Sequence, residues 1–319
     1  MKERFVVNLI PDEEVTDFFL VRDLSVKVGS NGKQYLDLFL ADKSGEIRAK
    51  KWDVSDAEAE SLARIRVGDI LKIKGTVTEW NSTRQLRVGK LRVANEQDAL
   101  DKRDFFKAAP EDPVKMYDYM LKAAAAVTDK DLRAVAERLL TLNKDRLMYW
   151  PAASKNHHAE YAGLLWHMKR MLMTAEKLCE VYTGLSRDLL VTGVIMHDME
   201  KLNEMDADEM GVVSEYTFEG VLLGHLVQGA IELDRLCDEL GVPDEKRIML
   251  EHMAISHHYE PEYGSPKKPM FPEAEALHYL DMLDAKLFDM EDALTMTQPG
   301  EFSERVWTLD NRRIYKRTW

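Results

Sequence analysis

The sequence predicts a chain of the multidomain α and β class, with a small β-barrel followed by a nearly all-α bundle. Three observations carry that expectation. Up to about residue 95, short runs of alternating apolar and polar residues are separated by turn-forming pairs, whereas beyond Pro113 apolar residues recur at helical spacing. Charge divides at the same place: residues 1–95 hold 17 Lys+Arg against 15 Asp+Glu, a net of +2, and the chain totals of 44 and 57 leave 27 against 42, a net of −15. All nine histidines lie between His157 and His278.

Taken in order, "DFFLVRDLSVKV" (17–28) predicts a strand and "GSNGK" a turn. "QYLDLFLAD" alternates, "DKSG" turns again, and "EIRAKKW" gives a third strand. "SDAEAESLARI" (55–65) reads as a short helix with Ser55 as its N-cap. "DILKIKGTVTEW" and "QLRVGKLRVA" are two further strands around "NSTR". Three strands, a helix and two strands in under 100 residues is the order of an OB-fold barrel, here assigned to residues 1–95. Residues 96–125, opening on the polar "EQDALDKRDFFKAAPEDP", are assigned as a connector, and 126–319 as the helical domain. Helical periodicity runs through "VKMYDYMLKAAAAV", "DKDLRAVAERLLTL", "EYAGLLWHMKRMLMTAEKLCEVY", "SRDLLVTGVIMHDMEKL" and "TFEGVLLGHLVQGAIELDRLCDEL". Two later helices cover "PDEKRIMLEHMAISH" and "PEAEALHYLDMLDAKLFDMEDAL".

Composition excludes several classes. No apolar run is long enough for a membrane span, and "MKERFVVNLIPDEEV" lacks the features of a signal peptide. Cys179 and Cys237 form no CxxC pair, so a reducing cytoplasm is expected and a cysteine zinc site is not. "VGSNGK" lacks the spacing of a phosphate loop, and no GxSxG elbow or HExxH motif occurs.

His167, His197, Asp198, His225, His257, His258 and Asp281 each sit on, or at the end of, an apolar helical stretch: "GLLWHM", "GVIMHDM", "LLGHLV", "AISHHY" and "LHYLDML". Burying such groups without partners costs several kcal/mol, so a bound cation is the expected partner. Imidazole with carboxylate suits Mn²⁺, Fe²⁺, Zn²⁺ or Co²⁺, and a carboxylate next to a histidine can bridge two ions. Two such ions would clamp a phosphoryl group, generate hydroxide near neutral pH and stabilise the departing oxygen. Lys201, four residues after His197, is expected on the same helix face, able to meet a substrate phosphate.

The order H…HD…H…HH…D resembles the HD superfamily of metal-dependent phosphohydrolases. With the barrel in front, the chain is similar to the YhaM-type 3′–5′ exoribonucleases, in "HHAEYAGLLWH", "GVIMHDMEK", "EGVLLGH", "SHHYEPEYGSPKKP", "EAEALHYLDMLDAK" and "LDNRRIYK". The resemblance implies an HD-domain bundle that cuts single-stranded RNA from its 3′ end, releases nucleoside 5′-monophosphates and uses two divalent ions, Mn²⁺ foremost. It places His167, His197, Asp198 and Asp281 on one ion and Asp198, His225, His257 and His258 on the other. Asp284 competes with Asp281, and the "DMLDA" context favours Asp281. The doublet reads HDMEK where the superfamily commonly has HDxGK, so Glu200 stands in place of glycine. His157 and His158 are open between substrate contact and a structural role; His252 and His278 are read as structural.

For RNA capture the expected residues are Trp80, in the turn "TEWNSTRQ", with Arg84, Arg87 and Lys90 on the last strand. Single-stranded DNA is a second possible ligand. Tyr35, Phe39 and Trp52 are read as strand core. The tail "WTLDNRRIYKRTW" either follows a phosphate backbone or forms a subunit contact, so self-association stays open. Two rival readings are a phosphodiesterase for cyclic dinucleotides or free nucleotides, and a non-catalytic nucleic-acid-binding scaffold.

Overall fold

The computed structural model describes residues 2–29, 32–52, 54, 62, 64–80 (Trp80 in its backbone only), 83–101, 104–154, 158–295 and 297–319. The helix expected over 55–65 falls almost wholly outside them. The chain divides into two compact units, Met1–Ala108 and Ala109–Trp319.

The first unit is a closed barrel of β1 (Glu14–Val28), β2 (Gln34–Asp42), β3 (Gly45–Lys51), β4 (Ile70–Trp80) and β5 (Thr83–Val93), in the order β1-β2-β3-β5-β4. All pairings are antiparallel except β3 with β5, the parallel closure that makes the barrel. Alternation builds its interior: Leu36, Leu38 and Leu40 of β2 point inward with Ile47, Ala49, Leu71, Ile73, Leu86 and Val88. The same parity turns Tyr35, Asp37 and Phe39 outward. Tyr35, Phe39 and Trp52 are therefore not core, as the sequence suggested; Trp52 is 41% exposed. Gly75 sits beside the β4 bulge, where a Cβ would lie 2.5 Å from the Arg87 carbonyl oxygen. One end of the barrel is plugged by the 3₁₀ turn Val6–Asn8, which adds Val6 and Leu9 to the core. Lys2 is buried there, its ammonium 3.0 Å from Asp42 and over the Phe19 ring.

The second unit comprises α1 (Pro113–Ala125), α2 (Lys130–Leu147), α3 (Gly163–Val181), α4 (Arg187–Met196), the single turn α5 (Lys201–Glu204), α6 (Phe218–Leu240), α7 (Asp244–Ser256) and α8 (Pro272–Thr295). Its boundary differs from the sequence expectation. Residues 96–125 are not a connector, because α1 buries Met116, Tyr117 and Met120 in the helical core. Asp112 caps α1 by accepting from the Val114 and Lys115 amides, with Pro113 at its first position. Asp129 and Ser186 cap α2 and α4 in the same way.

Two helices break where a single one was expected. "SRDLLVTGVIMHDMEKL" stops at Met196, turns through His197–Glu200 and resumes as α5. α6 kinks at Gly224, whose φ of 68° and ψ of 161° are open in practice only to glycine. Between α5 and α6 lies a hairpin of β6 (Met205–Ala207) and β7 (Val213–Tyr216) that the sequence reading missed.

Candidate metal centre and nucleic-acid face

Close packing of two helices brings the first ligands together. A Cβ at Gly193 would lie 2.2 Å from the Met253 terminal methyl, so glycine here leaves room for the methionine side chain between α4 and α7. His197 and His257 each follow one turn later, and their rings meet edge to face with centroids 5.0 Å apart. The Nδ1–H of His197 donates to the Val194 carbonyl (2.9 Å) and that of His257 to the Ala254 carbonyl (2.8 Å). Because a carbonyl only accepts, both rings present a bare Nε2 inward.

α3 delivers His167 from one side and α6 delivers His225 from the other, directly after the kink. The Glu204 carboxylate holds both the backbone N–H of His225 (3.1 Å) and its Nδ1 (3.0 Å). His258 Nδ1 donates to the Tyr263 carbonyl, 2.9 Å away.

All of these rings surround Asp198, which is 1% exposed. Its Oδ2 lies 3.3 Å from His197 Nε2 and 3.7 Å from His167 Nε2; its Oδ1 lies 3.4 Å from His225 Nε2 and 3.7 Å from His257 Nε2. One carboxylate thus offers an oxygen to each half of the cluster. Asp281 Oδ1 is 3.3 Å from His167 Nε2, on the inner side of that ring. Asp284 instead lies behind the ring, 2.7 Å from Nδ1. Lys201 Nζ is 2.8 Å from Asp198 Oδ2, so the lysine faces the aspartate through the turn rather than His197 along a continuous helix.

The donor set fits divalent cations. The Nε2 atoms of His197, His225 and His257 and the Oδ1 of Asp198 are buried without hydrogen-bond partners, an arrangement costing on the order of 1–3 kcal/mol per group. Ligand atoms sharing an ion at bond lengths of about 2.1 Å stand roughly 3.0–3.5 Å apart, close to the separations around Asp198. Asp198, His225, His257 and His258 bring one ligand atom each within 4.8 Å of one another, as do His167, His197 and Asp198.

Electrostatics differ between the halves. Burial disfavours charge on His167, but Asp281 and Asp284 outweigh it and raise its pKa to about 9. Burial and the adjacent His257 push His258 down to about 4, and burial also lowers His225 and His257. Asp198 stays well below the usual carboxylate range despite burial, held there by Lys201 and His197.

Residues 164–286 match the HD domain model, and residues 20–94 match the model of an OB-fold nucleic acid binding domain. A curated 3′–5′ exoribonuclease YhaM from Geobacillus sp. (strain WCH70) is 38% identical over 311 residues, spanning 98% of this chain and 94% of the relative. The chain belongs to the YhaM family. Among solved structures, the second OB-fold domain of replication protein A from Methanococcus maripaludis is 22% identical, covering 30% of this chain and 96% of that one at a TM-score of 0.25. Single-stranded DNA binding protein from Thermus aquaticus is 19% identical, covering 26% of this chain and 40% of that one at a TM-score of 0.23.

The structure places the residues expected to capture nucleic acid on this YhaM-family barrel in differing surroundings. Trp80 is the last residue of β4, paired with Thr83, and its side chain falls outside the described residues. Arg84 is engaged: its Nη1 donates to the Leu9 carbonyl (2.7 Å) and reaches that of Val7 (3.3 Å), fastening the N-terminal plug. Arg87 and Lys90 are exposed on β5. Tyr35 and Trp52, read from sequence as core, instead stack outside it with centroids 4.5 Å apart, and the Lys50 ammonium lies within 6 Å of both rings. In the tail, Arg312, Arg313 and Lys316 donate to backbone carbonyls of Leu309, Ser303, Leu294 and Thr297, which anchors the segment.

His157 lies outside the described residues; His158 is fully buried against Asp284. His252 accepts the Met270 amide, and His278 donates to the His257 carbonyl. Glu204 and Arg170, whose Nε is 2.6 Å from Asp284, went unnoticed because neither spacing nor residue type sets them apart from surface charge.

Proposed function

We propose that this metal-dependent 3′–5′ exoribonuclease degrades single-stranded RNA to nucleoside 5′-monophosphates with two divalent ions, Mn²⁺ foremost, at the Asp198 cluster. The observation that carries the reading is the Asp198 carboxylate, with one oxygen facing His167 and His197 and the other His225 and His257. In this reading His167, His197, Asp198 and Asp281 hold one ion, and Asp198, His225, His257 and His258 the other. Co²⁺, Fe²⁺ or Zn²⁺ suit the same donors.

When bound, such ions supply a water of lowered pKa and positive charge for the departing oxygen. The chain's part is orientation. Backbone carbonyls and Glu204 fix the ring tautomers, so each Nε2 is aimed before a cation arrives. Lys201, buried and kept protonated by Asp198 despite its desolvation, adds a fixed positive charge for a substrate phosphate. The barrel binds nucleic acid; Tyr35 and Trp52 would stack bases while Lys50, Arg87 and Lys90 face the backbone. RNA rather than DNA as substrate rests on the activity named for the Geobacillus relative. Both cysteines are unpaired thiols, in keeping with a cytoplasmic enzyme, and no helix among the described residues is long and apolar enough to cross a membrane.

Asp198→Ala, assayed on end-labelled RNA with Mn²⁺, is expected to bind RNA as wild type and to cleave it about a thousandfold more slowly. Cleavage at the wild-type rate would overturn the site assignment. Faster turnover of cyclic dinucleotides or mononucleotides than of an RNA oligomer would overturn the substrate.

A further inference from the structure

We propose that His158, which lies outside the ligand series, is a positioning residue: through Asp284 it fixes the His167 imidazole and so sets how tightly that half of the cluster holds a cation. The inference rests on the two-ion reading above.

Asp284 is the hub. Its Oδ2 lies 2.7 Å from both His158 Nε2 and His167 Nδ1, and its Oδ1 lies 2.6 Å from Arg170 Nε. A carboxylate only accepts, so His158 presents Nε2–H and His167 presents Nδ1–H to it. That leaves His167 Nε2 toward Asp281 and Asp198. The hub is not itself a cation site, because a guanidinium already occupies its second oxygen. Without His158, Asp284 keeps Arg170 on one side and can swing with it, away from the ring it orients.

The backbone is shaped to deliver this one side chain. His158 adopts a left-handed φ of 53°, and Ala162 follows with 57°. The His158 carbonyl accepts from the amides of Ala152 (3.0 Å) and Glu160 (2.8 Å). At Gly163 a Cβ would lie 2.0 Å from that same oxygen, so a glycine is required for the loop to close. The His158 ring packs on Phe288 with centroids 4.0 Å apart. Such departures from relaxed backbone persist where the surroundings demand them, and they cluster at functional sites.

The test is calorimetric titration of the full chain with Mn²⁺ in the absence of RNA, for wild type, His158→Phe, His158→Gln and Asp198→Ala, followed by RNA cleavage against Mn²⁺ concentration. His158→Phe keeps the ring against Phe288 but removes the donor. It is expected to weaken one Mn²⁺ binding event at least about tenfold and to raise the Mn²⁺ needed for half-maximal cleavage in parallel. At saturating Mn²⁺ its kcat and its KM for RNA stay at wild-type level. His158→Gln, whose amide nitrogen can stand where Nε2 does, is expected to restore binding. Should His158→Phe not fold, His158→Asn takes its place: asparagine accepts the left-handed backbone but stops short of Asp284. Wild-type Mn²⁺ affinity in His158→Phe or His158→Asn, or a glutamine variant as weak as the phenylalanine one, overturns the role of His158 alone. A wild-type chain that binds no Mn²⁺, or Asp198→Ala binding it normally, overturns the two-ion reading and this inference with it.

Discussion

In the proposed reading, Trp52, stacked on Tyr35, would offer a base-stacking surface and Glu204, bonded to His225, would orient that ring, neither being among the proposed ligands. Trp52→Ala is expected to remove one base-stacking surface, weakening single-stranded RNA binding by about 1–3 kcal/mol, roughly 5- to 150-fold, with Mn²⁺ binding unchanged; fluorescence anisotropy with a labelled oligomer measures it. Glu204→Ala should do the reverse. Both bonds from its carboxylate to His225 disappear, and Mn²⁺ affinity should fall about 10- to 100-fold while RNA affinity holds. That these histidines and aspartates converge was legible in the sequence because such residues stand out against apolar helices. Asp281 and Asp284 meet opposite sides of the His167 ring, a difference that sequence spacing did not show. Glu204 and His158 carried no such contrast: their importance lies in partners 21 and 126 residues away. The outward direction of Tyr35 and Trp52 could have been read from parity, since Leu36, Leu38 and Leu40 of β2 and Ile47 and Ala49 of β3 already fill the interior.

Among the elements, the breaks in α4–α5 and α6 matter more than the helices they interrupt. Straight helical periodicity was legible at "GVIMHDMEK" and "EGVLLGH", but the chain leaves the helix at both, and His197 and His225 directly follow the breaks at Met196 and Gly224. At Gly224 an alanine Cβ would meet Glu204 Oε1 at an ordinary contact distance of 3.7 Å, so the penalty is one of backbone conformation. Gly224→Ala is expected to cost about 1–3 kcal/mol and to displace His225, lowering Mn²⁺ affinity and thermal stability together. A pH dependence belongs to α4 as well. Asp188 in its first turn accepts from the Thr128 amide (2.9 Å) and hydroxyl and from the Asp129 amide (2.8 Å). Burial opposes ionisation, but these bonds prevail and lower its pKa. The folded state therefore holds this proton less tightly than the unfolded chain does. Its stabilisation is full above the unfolded pKa of about 3.9 and is lost as pH falls through the lower, folded value. The difference in melting temperature between wild type and Asp188→Asn should accordingly be largest near neutrality and narrow below about pH 4.

Across the whole molecule, the division of charge was legible and the division of chain less so. The boundary falls after Ala108 rather than at residue 95, because Phe105 and Phe106 are buried among residues whose composition reads as linker. A barrel of net charge near +2 ahead of a strongly acidic unit makes nucleic-acid capture depend weakly on salt. With Lys50, Arg87 and Lys90 as the phosphate-facing cations, the logarithm of affinity should fall with that of salt with a slope of roughly −2, at about −0.7 per contact. A slope of about −5 or steeper would require a phosphate path other than this face. The buried Nε2 atoms of His197, His225 and His257, without hydrogen-bond partners, carry one more consequence. A chain that folds before it is loaded buries lone pairs that water would otherwise satisfy, so its vacant form should melt several degrees lower and be cut sooner by protease than the loaded one. In a cell, scarcity of the cation would then shorten the life of the idle enzyme, and the pool surviving degradation would be the pool able to act.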